Sequence, residues 1–176
     1  LQHLLLMFIA PPLIWLARPE LPLLVGLPRL ARQLIAAPLI RDEGVQMLFR
    51  TLRHPVLAWL LFVLATWIWH LPALYMRALT SPIWHHAEHA TFLFAALCFW
   101  HVVIAPYPHR RTANRWIALP FLFFAGLQGT ALSALLTFSD RVLYTHYLTV
   151  PRIWQVMPLD DQAVAGALMW ACGSLV

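Results

Sequence analysis

The chain has 176 residues, of which 61% are hydrophobic and only 11% charged, against roughly 45–50% and about 25% in soluble domains. So little polar surface cannot cover a water-facing core, and a mean hydropathy of +0.71 over the whole length excludes a soluble head on a single anchor. All twelve basic residues are arginine, for a formal net charge of +5; the aromatic residues lie inside the apolar runs rather than between the arginines, which fits the positive-inside rule and not a nucleic-acid surface.

A membrane-crossing helix needs ~20 mostly apolar residues, and the expected fold is all-α: a polytopic membrane helix bundle forming a single domain over 1–176. Five spans are predicted, near 1–17, 55–71, 83–105, 116–137 and 162–176. The chain opens on Leu1 without Met and stops at Val176 inside an apolar run, so a piece of a longer protein is expected. Pro11 and Pro12 should kink the first span, which neighbouring helices can compensate by satisfying the freed carbonyls.

Between the first two spans, Arg18 to His54 is broken by Pro19, Pro22, Pro28 and Pro38, and it carries six arginines (Arg18, Arg29, Arg32, Arg41, Arg50, Arg53) against Glu20, Asp42 and Glu43. Its later part places Val45, Leu48, Phe49 and Leu52 on one helical face, the pattern of an amphipathic helix lying along the membrane surface. The loop after the third span adds Arg110, Arg111 and Arg115 without an acid. The remaining loops hold Arg77 alone, or Arg141 and Arg152 beside Asp140, Asp160 and Asp161. The Arg-rich segments are therefore expected on the cytoplasmic side of a multi-pass protein.

That orientation sets the depth of each histidine. His3, His70, His85, His86 and His89 fall at the outer ends of three spans, and His146 in an outer loop, whereas His54, His101 and His109 belong to the inner side. His85 and His89, four residues apart, project from one helical face with Glu88 beside them, and two imidazoles at that spacing can chelate a transition metal. A single histidine at a helix end more often caps a carbonyl or meets headgroups. Four at one depth on three helices point to metal or proton chemistry, because ionisable groups within spans are costly and mark function.

Met7, one turn after His3, adds a soft sulfur to an imidazole, which suits Cu(I), although thioethers also fill core gaps. Met169 with Cys172 is a weaker pair of this kind, and Cys98 and Cys172 form no disulfide framework or CxxC site. Trp67, Trp69, Trp84, Trp100 and Trp154 read as interfacial aromatic anchors, and Asp161 and Gln162 open the last span, where a carboxylate commonly caps. His85-His86-Ala87-Glu88-His89 also matches H-x-x-E-H of the inverted zinc peptidases. No third ligand or soluble catalytic domain accompanies it, so no enzyme is expected.

The residues quoted next carry a resemblance. Gln2-His3-Leu4-Leu5-Leu6 followed by Ala10-Pro11-Pro12, Trp69-His70-Leu71-Pro72-Ala73-Leu74-Tyr75, His85 with Glu88-His89 and Phe92-Leu93, Phe99-Trp100, and Asp161-Gln162 followed by Ala165-Gly166 and Met169-Trp170 together resemble the multi-span CtaG family of cytochrome c oxidase assembly factors, which is distinct from the single-span copper chaperones of that name. The resemblance implies a helical protein of the bacterial plasma (inner) membrane, needed to mature haem-copper oxidase by supplying copper. It carries the family's motif histidines onto His3, His70, His85 and His89, with Glu88 and the Asp161-Gln162 pair as companions and His86 as an extra histidine.

The expectation is thus a copper-binding assembly factor. Its outer site uses His3, His70, His85 or His89 with Met7 to hold Cu(I), and Glu88, His86, Asp161 and Gln162 are accessory. Its partners are the lipid bilayer, a haem-copper oxidase subunit and a periplasmic copper donor. The alternatives are a b-type haem protein ligated by two of the same histidines and a metal-free scaffold for oxidase subunits.

Overall fold

The computed structural model describes residues 2–104, 115–151 and 156–173, so His109, Arg110, Arg111, Arg152 and Trp154 lie outside the described residues. The described chain is helical, with no strand among the described residues. The elements are α1 (Gln2–Ala17), α2 (Glu20–Gly26), α3 (29–41), α4 (Glu43–Leu52), α5 (Pro55–Trp69), α6 (Pro72–Thr80), α7 (Pro82–Ile104), α8 (Arg115–Thr137), α9 (His146–Thr149) and α10 (Pro158–Gly173). Prolines start α5, α6, α7 and α10, positions where the missing N–H costs nothing.

Five spans were expected, and among the described residues two helices are long and apolar enough to cross a membrane: α7 and α8. A third counts if α4 and α5, bent by 68° at their junction, form one span. The physical reason is continuity. The apolar run near 55–71 forms a helix of only about 23 Å at ~1.5 Å per residue, short of a ~30 Å hydrocarbon core, and the runs near 1–17 and 162–176 are helical over their described residues, 2–17 and 162–173. Helix α5 stops at Trp69 because Pro72 cannot extend the ladder and holds Leu71 extended.

The core forms where α5, α7 and α8 meet. Phe62 stacks on Phe99 at 4.4 Å and Phe99 on Phe121 at 4.6 Å between ring centroids, with Phe92 and Ala96 buried beside them. Helix α1 packs on α7 through a bond that its own sequence demands. The residues four and five after Met7 are Pro11 and Pro12, so neither a normal nor a widened helical turn can supply an N–H to the Met7 carbonyl. Trp100 Nε1 of α7 donates to that oxygen at 2.8 Å. The turn Leu5–Ile9 just before is a π-turn, and at the far end Arg18, left-handed at φ 49°, stops α1 before Pro19.

Indole N–H groups also join the other helices. Trp69 donates to Thr91 Oγ1 at 2.7 Å and Trp67 to Gln128 Oε1 at 2.9 Å. Expected as interfacial anchors, Trp67, Trp69 and Trp100 instead tie helices together, because an N–H inside a bundle needs an acceptor. Trp84 is the exposed one, with the Arg77 guanidinium 5.5 Å over its ring. Helices α8 and α10 approach most closely at Gly166, where a Cβ would stand 2.5 Å from Thr137 Oγ1 and 2.9 Å from its backbone N, in keeping with small residues at membrane helix contacts.

Candidate metal centre

Chain direction alone brings three helix ends together. Helix α1 starts, α5 ends and α7 starts at the same end of the bundle, so His3, His70 and the His85–His89 turn converge there. On α7 the four-residue spacing sets the His85 and His89 rings against each other, tilted by 53° with centroids 4.2 Å apart. His3 of α1 meets this pair edge-on, 4.9 Å from the His89 ring, and packs on Phe92 at 5.1 Å.

Glu88 completes the group. It is 3% exposed, and its Oε2 lies 3.5 Å from His3 Nε2 and 4.0 Å from His85 Nδ1. Ligand atoms from His3, Glu88 and His89 all lie within 4.8 Å of one another. Donors on one tetrahedral ion with bonds of ~2.0 Å stand about 3.3 Å apart, so small side-chain rotations close the set. His89 Nε2 is buried without a hydrogen-bond partner, a state that costs roughly 1–3 kcal/mol and that an ion or a proton donor relieves. The chemistry of the donors, neutral imidazole with one carboxylate, fits a transition metal.

His70 sits one layer away. Its Nδ1 is 2.7 Å from the Thr66 carbonyl, an acceptor only, so in the neutral ring Nδ1 carries the proton and Nε2 keeps its lone pair. Burial lowers its pKa from the ordinary value, favouring that neutral form. With His3 and Met7, His70 lines a cavity of about 320 Å³ that also reaches Tyr75, Tyr144 and Met169. The Tyr144 hydroxyl donates to the His70 carbonyl at 3.1 Å, and the Tyr75 and Tyr147 hydroxyls are 3.2 Å apart. Burial pushes Tyr144 up to about 12, so the phenol remains a donor.

The sequence-predicted residues therefore divide. His3, Glu88 and His89 form one cluster with His85 half-exposed beside it. Met7 is buried and shares the cavity wall with His3 and His70. His86 points to the exposed side of α7, its ring 6.2 Å from that of His85. Asp161 lines the cavity but is exposed in the first turn of α10.

Gln162 is committed to structure. Its Oε1 accepts from the Leu143 N–H at 2.8 Å, and its Nε2 donates to the Arg141 carbonyl at 3.2 Å and that of Leu136 at 3.4 Å, which fixes the loop after α8. Tyr144 and Tyr147, which line the cavity, were missed from sequence; their one signal was a pair of tyrosines three apart in the loop before the last helix.

The family described as cytochrome c oxidase caa3 assembly factor (Caa3_CtaG) matches residues 1–176. The chain belongs to this family. No curated protein and no solved structure matches it. As a Caa3_CtaG member it is a cytochrome c oxidase assembly factor, and the resemblance read from its histidine, Trp-His-Leu-Pro and Asp-Gln segments is borne out at the level of the family.

Proposed function

We propose that this Caa3_CtaG protein binds copper at the His3, His85, Glu88 and His89 cluster and passes it to an oxidase subunit. The observation that carries the reading is His89 Nε2, a buried imidazole nitrogen without a partner among His3, His85 and a buried carboxylate. The His89 ring touches both His3 and His85, and this close cluster favours a single ion over haem, because a flat macrocycle needs a slot between its two axial rings.

Neutral imidazoles bind the cargo, and Glu88 accepts the proton that a ring releases as the metal arrives or orients the ring. His70 and Met7, on the adjoining cavity wall, take the ion next as it leaves. Delivery by ligand exchange needs such incomplete coordination, and the soft Met7 sulfur with imidazole selects Cu(I). The cluster faces the outer side of the bacterial plasma membrane, where a periplasmic donor would load it. The protein acts as a carrier and not an enzyme.

The test is copper analysis and an optical spectrum on one purified sample under reducing conditions. Bound Cu(I) that is lost in a His70→Ala, His85→Ala, His89→Ala variant is the expected result. Copper stoichiometry unchanged in that variant overturns this site, and a strong Soret band establishes haem in its place.

A further inference from the structure

At the opposite end of α5 from His70, residues 18–53 form a surface to which neither the family nor the metal reading gives a role. Six arginines stand here against three acids, and one of those acids is occupied: Asp42 caps α4 by accepting from the Val45 N–H at 2.9 Å. Glu43 sits in the first turn of α4, where the helix dipole already favours it. Arg29, Arg32, Arg41 and Arg50 are exposed, and among the described residues none of the four is in an ion pair with an acid.

Geometry restricts how these helices meet a membrane. Helix α3 runs over 29–41, about 20 Å at ~1.5 Å per residue, with Arg29 and Arg32 near one end and Arg41 at the other. Upright, it would sink one of those charged ends into hydrocarbon, at a cost of several kcal/mol. Lying flat keeps all three arginines within reach of the headgroups by snorkelling while Leu34 and Ile35, 67% exposed each, meet the acyl boundary beside them. Helix α4 turns away from α5 by 68°, so with α5 upright it too lies near the membrane plane. Its Leu48 and Phe49 are exposed, and the Arg53 guanidinium rests 5.6 Å over the Phe49 ring, with the charge held at the edge of the apolar face.

We propose that residues 18–53 form a collar that binds the surface of an anionic phospholipid bilayer, with arginines on lipid phosphates, and the exposed apolar residues of α3 and the apolar face of α4 inserted beneath. Charge complementarity names the occupant: the segment is net positive, arginine forks match phosphate oxygens, and each arginine at an anionic surface strengthens partitioning roughly fivefold. The collar is independent of copper binding and holds the inner end of α5 at the interface while the other end carries the histidines.

The experiment compares the full chain in bilayer discs of phosphatidylcholine alone and of phosphatidylcholine with phosphatidylglycerol, by amide hydrogen exchange of residues 29–53. Exchange at least about tenfold slower in the anionic discs is expected, weakening at high salt and absent in a variant combining Arg29→Gln, Arg32→Gln, Arg41→Gln and Arg50→Gln. Equal exchange of the wild-type chain in both lipids overturns the proposal, a comparison that needs no variant to fold. Protection unchanged in the fourfold variant also overturns it. Slowing only when an oxidase subunit is added assigns the face to a protein partner and rejects the lipid collar.

Discussion

At one end of the bundle Glu88 is 3% exposed with its oxygen 3.5 Å from one imidazole and 4.0 Å from another; at the other, Arg29, Arg32, Arg41 and Arg50 stand exposed on short helices. Both ends spend ionisable residues in an apolar chain, and they solve the solvation problem differently. Where three helix ends converge, polar groups are forced onto one another, and imidazoles gather around a buried carboxylate. Where short helices pack mainly on their chain neighbours, each charge reaches the surface separately. Convergence of elements, rather than the number of charges, brings ionisable groups into contact.

The largest test of that distinction is Gly166→Leu. A side chain at Gly166 meets the Thr137 backbone at 2.9 Å, which cannot swing aside as a side chain can, so a loss of about 3 kcal/mol is expected from overpacking. It should lower the melting temperature and loosen the Gln162-held loop of the histidine end. Unchanged thermal stability in detergent would show that α8 and α10 do not need this close approach.

The middle-sized effect sets the packed interior of the bundle against the arginine end with one substitution each. Trp100→Phe leaves the Met7 carbonyl without its donor inside the bundle, for an expected loss of about 2 kcal/mol, while Arg50→Gln on the exposed face should stay within roughly 0.5 kcal/mol. Equal losses measured by thermal unfolding would mean that the arginine end is as tightly packed as the bundle interior.

The smallest effect is a slope with pH. His70 has a lowered pKa through burial, so the unfolded chain binds a proton more readily than the folded one. Its contribution is fully present above the ordinary histidine value of about 6.5 and is lost as pH falls through that value toward the lower folded pKa. His70→Gln should flatten part of the stability profile on the acid side. An unaltered profile would show that His70 does not titrate differently in the fold.

Much of this was legible in the residues. The helices α7 and α8 follow from uninterrupted apolar length, and the pairing of His85 with His89 from the helical repeat, because both depend on neighbours in the chain. The end of the span over 55–71 was not visible in apolar composition: Pro72 behind His70 holds Leu71 extended and stops α5 through the backbone. The tryptophans were misplaced for a related reason, since an acceptor such as Thr91 or the Met7 carbonyl lies on another helix.

Composition and spacing by themselves determined that the chain is helical and membrane-borne, that half of its twelve arginines fall within 18–53, and that the family motifs fall on His3, His70, Glu88 and His89. Only the tertiary structure decided which of these residues share a site. It set His3 against His89, buried Glu88 between imidazoles, turned His86 outward and committed Gln162 to a loop. The physical reason is that a helical period fixes which face a residue occupies on its own element, while the meeting of faces depends on packing between helices distant in sequence.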